Sequence, residues 1–418
     1  MSSQAASRAA RTAVAVGALL AMGACKARGG NGPFAAEVSR YVPQIEQATG
    51  MRFKQPPRVE TRSRDQIRQF LVRLLADERA KRDLEGQGAM YRRLGLIPDS
   101  LDLGKFFVDL YTEQIAGFYD PKTKVLYIPS DAKGQVVDAT VSHELVHALQ
   151  DQYIDLDSVL HVDGDQDRTT AAQSVFEGQA TLVSMQLLGA TLIPWDKRRE
   201  MIRDMQGEAM PRFASAPMVV QETMLFPYLS GGEFMGRFYE RNPRTSPVGR
   251  MPSSTEQIIH AEAYGETRDE PVRITLPALA PGASAVYQNN VGEFETRLFL
   301  FAHTKDASAA VRAAAGWDGD RYMIVRTPRG DGMVWVTVWD NSLEAAEFSS
   351  ALEQALGKRY GGLRPGATAA GASAFTTRDR ALSVWGGEIG GRPAVVYTDV
   401  PAGVSTAVLD PMKVTLAQ

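Results

Sequence analysis

The stretch His143-Glu144-Leu145-Val146-His147 constrains this chain more than any other. It reads H-E-x-x-H inside "DATVSHELVHALQDQY", and no Pro or Gly interrupts residues 135–153. Val137, Val141, Leu145, Ala148 and Leu149 recur at helical spacing, so a helix with one apolar face is predicted here. Asp138 or Gln135 is expected to cap its start. Residues four apart share a helix face, so the two imidazoles can hold one Zn²⁺. Glu144 then falls beside the metal, where hydrolysis needs a general base. With only 5 histidines in 418 residues, a chance match to this pattern is improbable.

Two imidazoles leave zinc short of its usual three protein ligands. A ligand six residues past His147 would be Tyr153, with Gln150 where Gly is required, which excludes the H-E-x-x-H-x-x-G-x-x-H pattern. Glu177 is the preferred third ligand, in the helix-like apolar segment "TAAQSVFEGQATLVSMQLLGA". Gly178 and Ala180 after it are small, so two helices could approach closely there. His161, Asp151 and Asp155 stand as alternatives. A donor must also stabilise the oxyanion of the reaction. His260 in "STEQIIHAEAY" is the first candidate, with Tyr264 and Tyr228 behind it. Before the motif, "GFYDPKTKVLYIP" reads as a hairpin turning at Asp120-Pro121-Lys122-Thr123. It is either a core hairpin or a cleft edge on which a substrate backbone could pair.

The blocks "LYTEQIAGFYDPKTKVLYIP", "VSHELVHALQDQ", "FEGQA", "FPYLSGGEF" and "PSSTEQIIH" span roughly residues 94–264. Together they resemble the gluzincins, zincins with a glutamate ligand, and among them secreted bacterial metallopeptidase-like proteins. The resemblance implies an α+β, zincin-like catalytic domain whose motif helix lies beside an antiparallel sheet. It implies His143, His147 and Glu177 as zinc ligands, Glu144 as the base, and a peptide or protein as substrate. One departure stands out. Thermolysin-like gluzincins place an Asp four residues after the ligand Glu, and here that position is Thr181. The imidazoles must then be oriented from elsewhere.

At the N-terminus, Arg8 and Arg11 precede the apolar run 12–24, which is too short to span a membrane as an ordinary helix. The run ends at Cys25, the one cysteine of the chain, and "MGAC" resembles a bacterial lipobox with Met22 in place of the usual Leu. The expectation is a signal peptide over 1–25, a lipid on Cys25 tethering the protein to a membrane outside the cytoplasm, and a flexible tether over 26–33. Plain secretion is the other reading. A single cysteine forms no intrachain disulfide. A net charge of −3 and the absence of a dense Lys/Arg run argue against nucleic acid.

A zincin-like domain is expected over 34–276 and an α+β domain over 286–418. Ser63 and Gln66 read as a capping box for a helix through about Glu85, and another helix is expected over 103–115. Asp163, Asp165 and Asp167 imitate the start of a calcium loop, but Arg168 and Ser174 stand where Gly and Glu are needed. Helices are expected over 291–315, then a hairpin of "GWDGDRYMIVRT" and "GMVWVTVWD". A helix over 342–356 follows, with Asn341 and Glu344 as its capping box and Gly357 as its stop. "ALSVWGGEIGGRPAVVYTDV" reads as a closing hairpin, and His303 as structural. Two functions fit: zinc-dependent hydrolysis of peptide bonds, or a peptidase-like lipoprotein that binds or scaffolds without turnover.

Overall fold

The computed structural model describes residues 33–160, 162–189, 197, 210–365 and 372–417. The expected signal peptide, Cys25, most of the tether and His161 lie outside the described residues. Helices and mainly antiparallel sheets share the chain, which makes it α+β.

The motif helix α5 (Gln135–Gln150) follows α1 (Ala35–Thr49), β1 (Arg58–Arg62), α2 (Arg64–Leu75), α3 (Glu78–Leu94), α4 (Leu103–Gln114), β2 (Phe118–Asp120) and β3 (Val125–Pro129). The hairpin forms as expected, β2 against β3. A third strand, β1, joins β3 in parallel, so this sheet is mixed and β2 lies at its edge. All five apolar positions of α5 are buried. Val137, Val141, Leu145 and Leu149 pack with Leu126 and Ile128 of β3, which fixes the motif helix on the sheet.

Neither expected cap of α5 is used. Gly134 precedes the helix without a side-chain cap, and Asp138 instead accepts from Arg40 (2.5 Å) and Tyr41 (2.9 Å) of α1. The capping box at Ser63 and Gln66 is present, but the expected single helix is two. Asp77 takes the N–H groups of Arg79 and Ala80 and starts α3 afresh, since Asp competes with the helix for its own backbone.

Beyond α5 lie α6 (Leu156–Val159), α7 (Gln166–Leu187) and α8 (Met218–Arg241). α7 and α8 cross with their backbones in contact. A Cβ on Gly178 would lie 2.2 Å from the Gly231 backbone, and one on Gly231 would lie 2.1 Å from the Ser174 carbonyl. The smallness of Gly178 thus serves the approach of α8.

Besides a short helix at Pro211–Ala214 and 3-10 turns at Pro247–Arg250 and Pro411–Lys413, the remaining elements are α9 (Thr255–Ile259), β4 (Arg273–Thr275), β5 (Ser284–Asn289), α10 (Gly292–Thr304), α11 (Ala307–Ala314), β6 (Trp317–Thr327), β7 (Gly330–Trp339), α12 (Ser342–Tyr360), β8 (Arg364–Pro365), β9 (Ala372–Thr376), β10 (Arg380–Ile389), β11 (Arg392–Pro401) and β12 (Thr415–Ala417). Seven strands form one antiparallel sheet in the order β5-β6-β7-β11-β10-β9-β8, and β12 pairs with β4. Both expected hairpins are in it. The β10–β11 turn uses Gly390 and Gly391 at φ 57° and 81°, the left-handed pair that a two-residue turn requires.

The helical stretch over 291–315 breaks at Lys305, and Asp306 caps α11. α12 runs through Gly357 and stops at Gly361, whose φ of 65° gives the left-handed C-cap. Asn341 caps α12, but no returning bond comes from the Glu344 carboxylate, so only half of that capping box forms.

One apolar cluster draws Met90, Leu94, Phe226, Phe294 and Trp335 together from both sides of residues 276–286. Phe226 stacks on Phe294 at 3.9 Å, and Tyr91 donates to Glu295 at 2.9 Å. Ala171 and Val175 of α7 belong to the same cluster, so the helix that carries Glu177 shares a core with the large sheet, while α5 packs in its own cluster on β3.

Candidate metal centre

α5 and α7 lie side by side and bring the two motif histidines to Glu177. His143 Nε2 is 3.1 Å and His147 Nε2 3.3 Å from Glu177 Oε2, and the two nitrogens are 3.2 Å apart. One donor atom of each residue lies within 4.8 Å of the other two. The side chains are 19%, 12% and 17% exposed, so the trio is sheltered but reachable.

The orientation of His147 follows from its neighbours. The Gln150 amide nitrogen donates to the Phe176 carbonyl at 3.0 Å and to Gln179 Oε1 at 2.8 Å. Its Oε1 is therefore the acceptor facing His147 Nδ1 at 2.8 Å. Nδ1 carries the proton, and Nε2 presents its lone pair to Glu177 and His143 when the ring is neutral. Gln179 in turn donates to the Tyr239 hydroxyl at 2.5 Å. Thr181, where the resemblance led to an Asp, has a buried hydroxyl with no partner among the described residues. Gln150 does the orienting in its place.

Burial alone would lower the His147 pKa, but the Glu177 carboxylate outweighs it and holds it at about 9. Burial would raise Glu177, but His147 and His143 keep it well below the usual carboxylate range. The pocket is thus arranged for positive charge, and a metal binding there must displace a proton from His147 at neutral pH.

Glu144 is held from the sheet. The Tyr119 N–H of edge strand β2 donates to its Oε2 at 2.9 Å. Asp151, an alternative ligand, is occupied bracing the hairpin: the Tyr119 hydroxyl and Lys124 Nζ each donate to it at 2.7 Å. Asp155 caps α6 through Ser158. Asp165 caps α7, and Asp167 accepts from the Thr255 N–H at 3.1 Å, so both are engaged in structure.

The Tyr228 ring stacks on His143 at 6.0 Å and 25°. Although the residue is 37% exposed, desolvation of the hydroxyl, then Glu177 and Glu144, push it above the ordinary value. Tyr111 feels Glu177 in the same way. His260, the first oxyanion candidate, has other partners. Its Nε2 lies 3.0 Å from Glu293 Oε1 and 2.9 Å from Arg297, and none of its contacts among the described residues reaches the trio. Glu293 is fully buried, and a buried carboxylate needs such positive partners. Tyr264 bonds the Arg250 carbonyl and packs edge-on against Phe234. His303 bonds the Leu94 carbonyl at 2.8 Å, in keeping with a structural role.

Sequence reasoning missed Gln150, Gln179, Tyr239 and Tyr111. Gln150 carried a signal: it lies on the motif helix three residues after His147, where it can reach back to that ring.

A family described as a domain of unknown function (DUF8575) matches residues 280–389, from just before β5 to the end of β10. No curated protein matches the chain. A solved structure from Chloroflexus aurantiacus, described as "a putative hydrolase with a novel fold", is 17% identical with a TM-score of 0.31, covering 55% of this chain and 87% of its own. So slight a likeness carries no argument about activity.

Proposed function

We propose that this protein is a zinc-dependent hydrolase of gluzincin type that cleaves peptide bonds in peptides or proteins. One observation carries the reading: two imidazole nitrogens and a carboxylate oxygen converge, while the sheet edge holds Glu144 beside them. That donor set is one that catalytic zinc sites use, and all three residues present a donor atom to one point. When bound, zinc supplies Lewis acidity to a water and to the scissile carbonyl.

The chain's own residues do the rest. Glu144 takes the proton from the attacking water and passes it to the leaving amine. Tyr228, whose hydroxyl stays protonated far above neutral pH, donates to the developing oxyanion in the role expected of His260. An extended substrate aligns along β2, the strand edge next to Glu144. The pattern over 1–25 supports export and a membrane tether through a lipid on Cys25.

The rival, a peptidase-like scaffold, rests on Thr181 and on the C-terminal half; against the first of these, Gln150 faces His147 Nδ1 at 2.8 Å and supports the catalytic reading. Cleavage of a broad peptide library by the parent, lost in Glu144→Gln, is the expected result. Esters cleaved with peptides untouched would move the reading to another hydrolase class. No turnover of any substrate by zinc-loaded protein would leave the scaffold.

A further inference from the structure

A second group of carboxylates gathers at the open end of the β6–β7 hairpin. Asp318 is the second residue of β6, and Asp340 directly follows β7, where Trp317 pairs with Trp339. Asp269 reaches them from the turn after α9, held by its N–H on the Ala263 carbonyl (3.0 Å) and by Gln257 on its own carbonyl (2.6 Å). One oxygen from each Asp lies within 4.8 Å of the other two. Asp318 is 3% exposed, whereas Asp269 and Asp340 face solvent, so the group is open on one side.

Two further carboxylates, whose charges act on Asp340, each keep one oxygen without a partner among the described residues. Glu293 is 0% exposed, and His260 and Arg297 both bond its Oε1. Its buried Oε2 has no partner among the described residues. Glu344, in the first turn of α12, also buries an Oε2 without such a partner, close against Gly316. Both act on Asp340: partial desolvation of its carboxyl first, then Asp269 and Glu344 ahead of Glu293, bring its pKa up to about 6, although the residue faces solvent. Arg392 pairs with Asp318 and Arg297 with Glu293, which leaves more carboxylates than cations. A buried carboxylate oxygen left bare is costly, and an ion or water is the usual remedy.

We infer that Asp269, Asp318 and Asp340, backed by Glu293 and Glu344, form a binding site for a hard divalent cation, Ca²⁺ foremost, separate from the zinc trio. The donors are all oxygen, without the nitrogen or sulfur that would select a softer metal. Their irregular arrangement suits Ca²⁺, which takes several oxygens in flexible geometry, better than Mg²⁺, which demands an octahedron. The ion would tie the turn after α9 to the ends of β6 and β7, and so link the region carrying α9 to the large sheet.

Terbium(III), a hard ion that reports on calcium sites, tests this on the full-length chain after chelator treatment. Trp317 and Trp339 adjoin Asp318 and Asp340 in sequence and would sensitise its emission. Emission that Ca²⁺ displaces is expected, unchanged in the double variant His143→Ala/His147→Ala. Asp340→Asn is expected to weaken terbium binding at least about tenfold, since it removes one carboxylate ligand. Ca²⁺ should also raise the melting temperature of the parent and not of that variant. Asp340 is exposed, so the variant should fold, and equal melting of parent and variant in chelator checks this. Absence of calcium-displaced emission from the parent, or identical binding by Asp340→Asn, would overturn the site. Neither outcome depends on whether the protein hydrolyses peptides.

Discussion

Around α5 and α7, Glu177 is largely buried but meets two imidazoles, and its carboxyl stays well below the usual range. Next to the large sheet, Glu295 and Asp320 are buried too, yet their donors are neutral. Glu295 accepts from the Tyr91 hydroxyl at 2.9 Å. Asp320 accepts from the indoles of Trp317 and Trp335 and from the N–H groups of Val291 and Gly292. Burial prevails there, raising Glu295 to about 8 and Asp320 to about 6. Neutral donors satisfy an oxygen without cancelling its charge, whereas an opposite charge does both. The α5–α7 site keeps a carboxylate ionised and available to a cation, while Glu295 and Asp320 serve as structural hydrogen-bond acceptors.

The largest effect on this contrast should come from Glu144→Gln. Turnover is expected to fall by about 10³-fold or more while zinc content is unchanged, because the base is lost and the ligands remain. Parallel assays of peptide cleavage and bound zinc check it, and full activity would refute the role of Glu144. Gly178→Ala comes next. Its Cβ would meet the Gly231 backbone at 2.2 Å, forcing α7 and α8 apart beside Glu177. A loss of about 3 kcal/mol in denaturant unfolding, with weakened zinc retention, is expected.

Glu295→Gln probes the other side through pH. The folded carboxyl titrates near 8, above its ordinary value of 4.5, so its contribution is fully present below 4.5 and is lost as pH rises through 8. The variant keeps an acceptor for Tyr91 but does not ionise. It should gain roughly 2–4 kcal/mol on the parent between pH 4.5 and 9, and nothing below. Parallel melting curves of the two proteins across pH would sink the assignment. Gln150→Ala should have the smallest effect, weakening zinc about 10–100-fold by releasing the His147 ring. Competition against a chelator measures it, and unchanged affinity would mean that the ring is oriented by something else.

Much of the site was legible because its signals are local. The apolar period over Val137–Leu149 dictated a helix, and that helix set His143 and His147 on one face. Glu177 was legible as a carboxylate in an apolar segment followed by a small residue. The hairpins were legible from their turn residues. The restart at Asp77 was missed, although Asp ahead of a charged helical run is a capping signal. Gly357 misled because a glycine inside a helix costs only about 1 kcal/mol, whereas Gly361 adopts the left-handed cap. The partners of His260 were beyond reach: Glu293 and Arg297 lie on α10, and only tertiary packing brings them to the end of α9. The same holds for the Gln150–Gln179–Tyr239 chain, which crosses three helices.

The most direct test is the zinc content of the purified protein beside its Glu177→Ala variant, both loaded with zinc and then dialysed. About one retained zinc per chain in the parent, with a clear loss in a variant that still folds, is the predicted result. Equal retention in both would contradict Glu177 as the third ligand, and no retention in a folded parent would contradict the zinc centre itself.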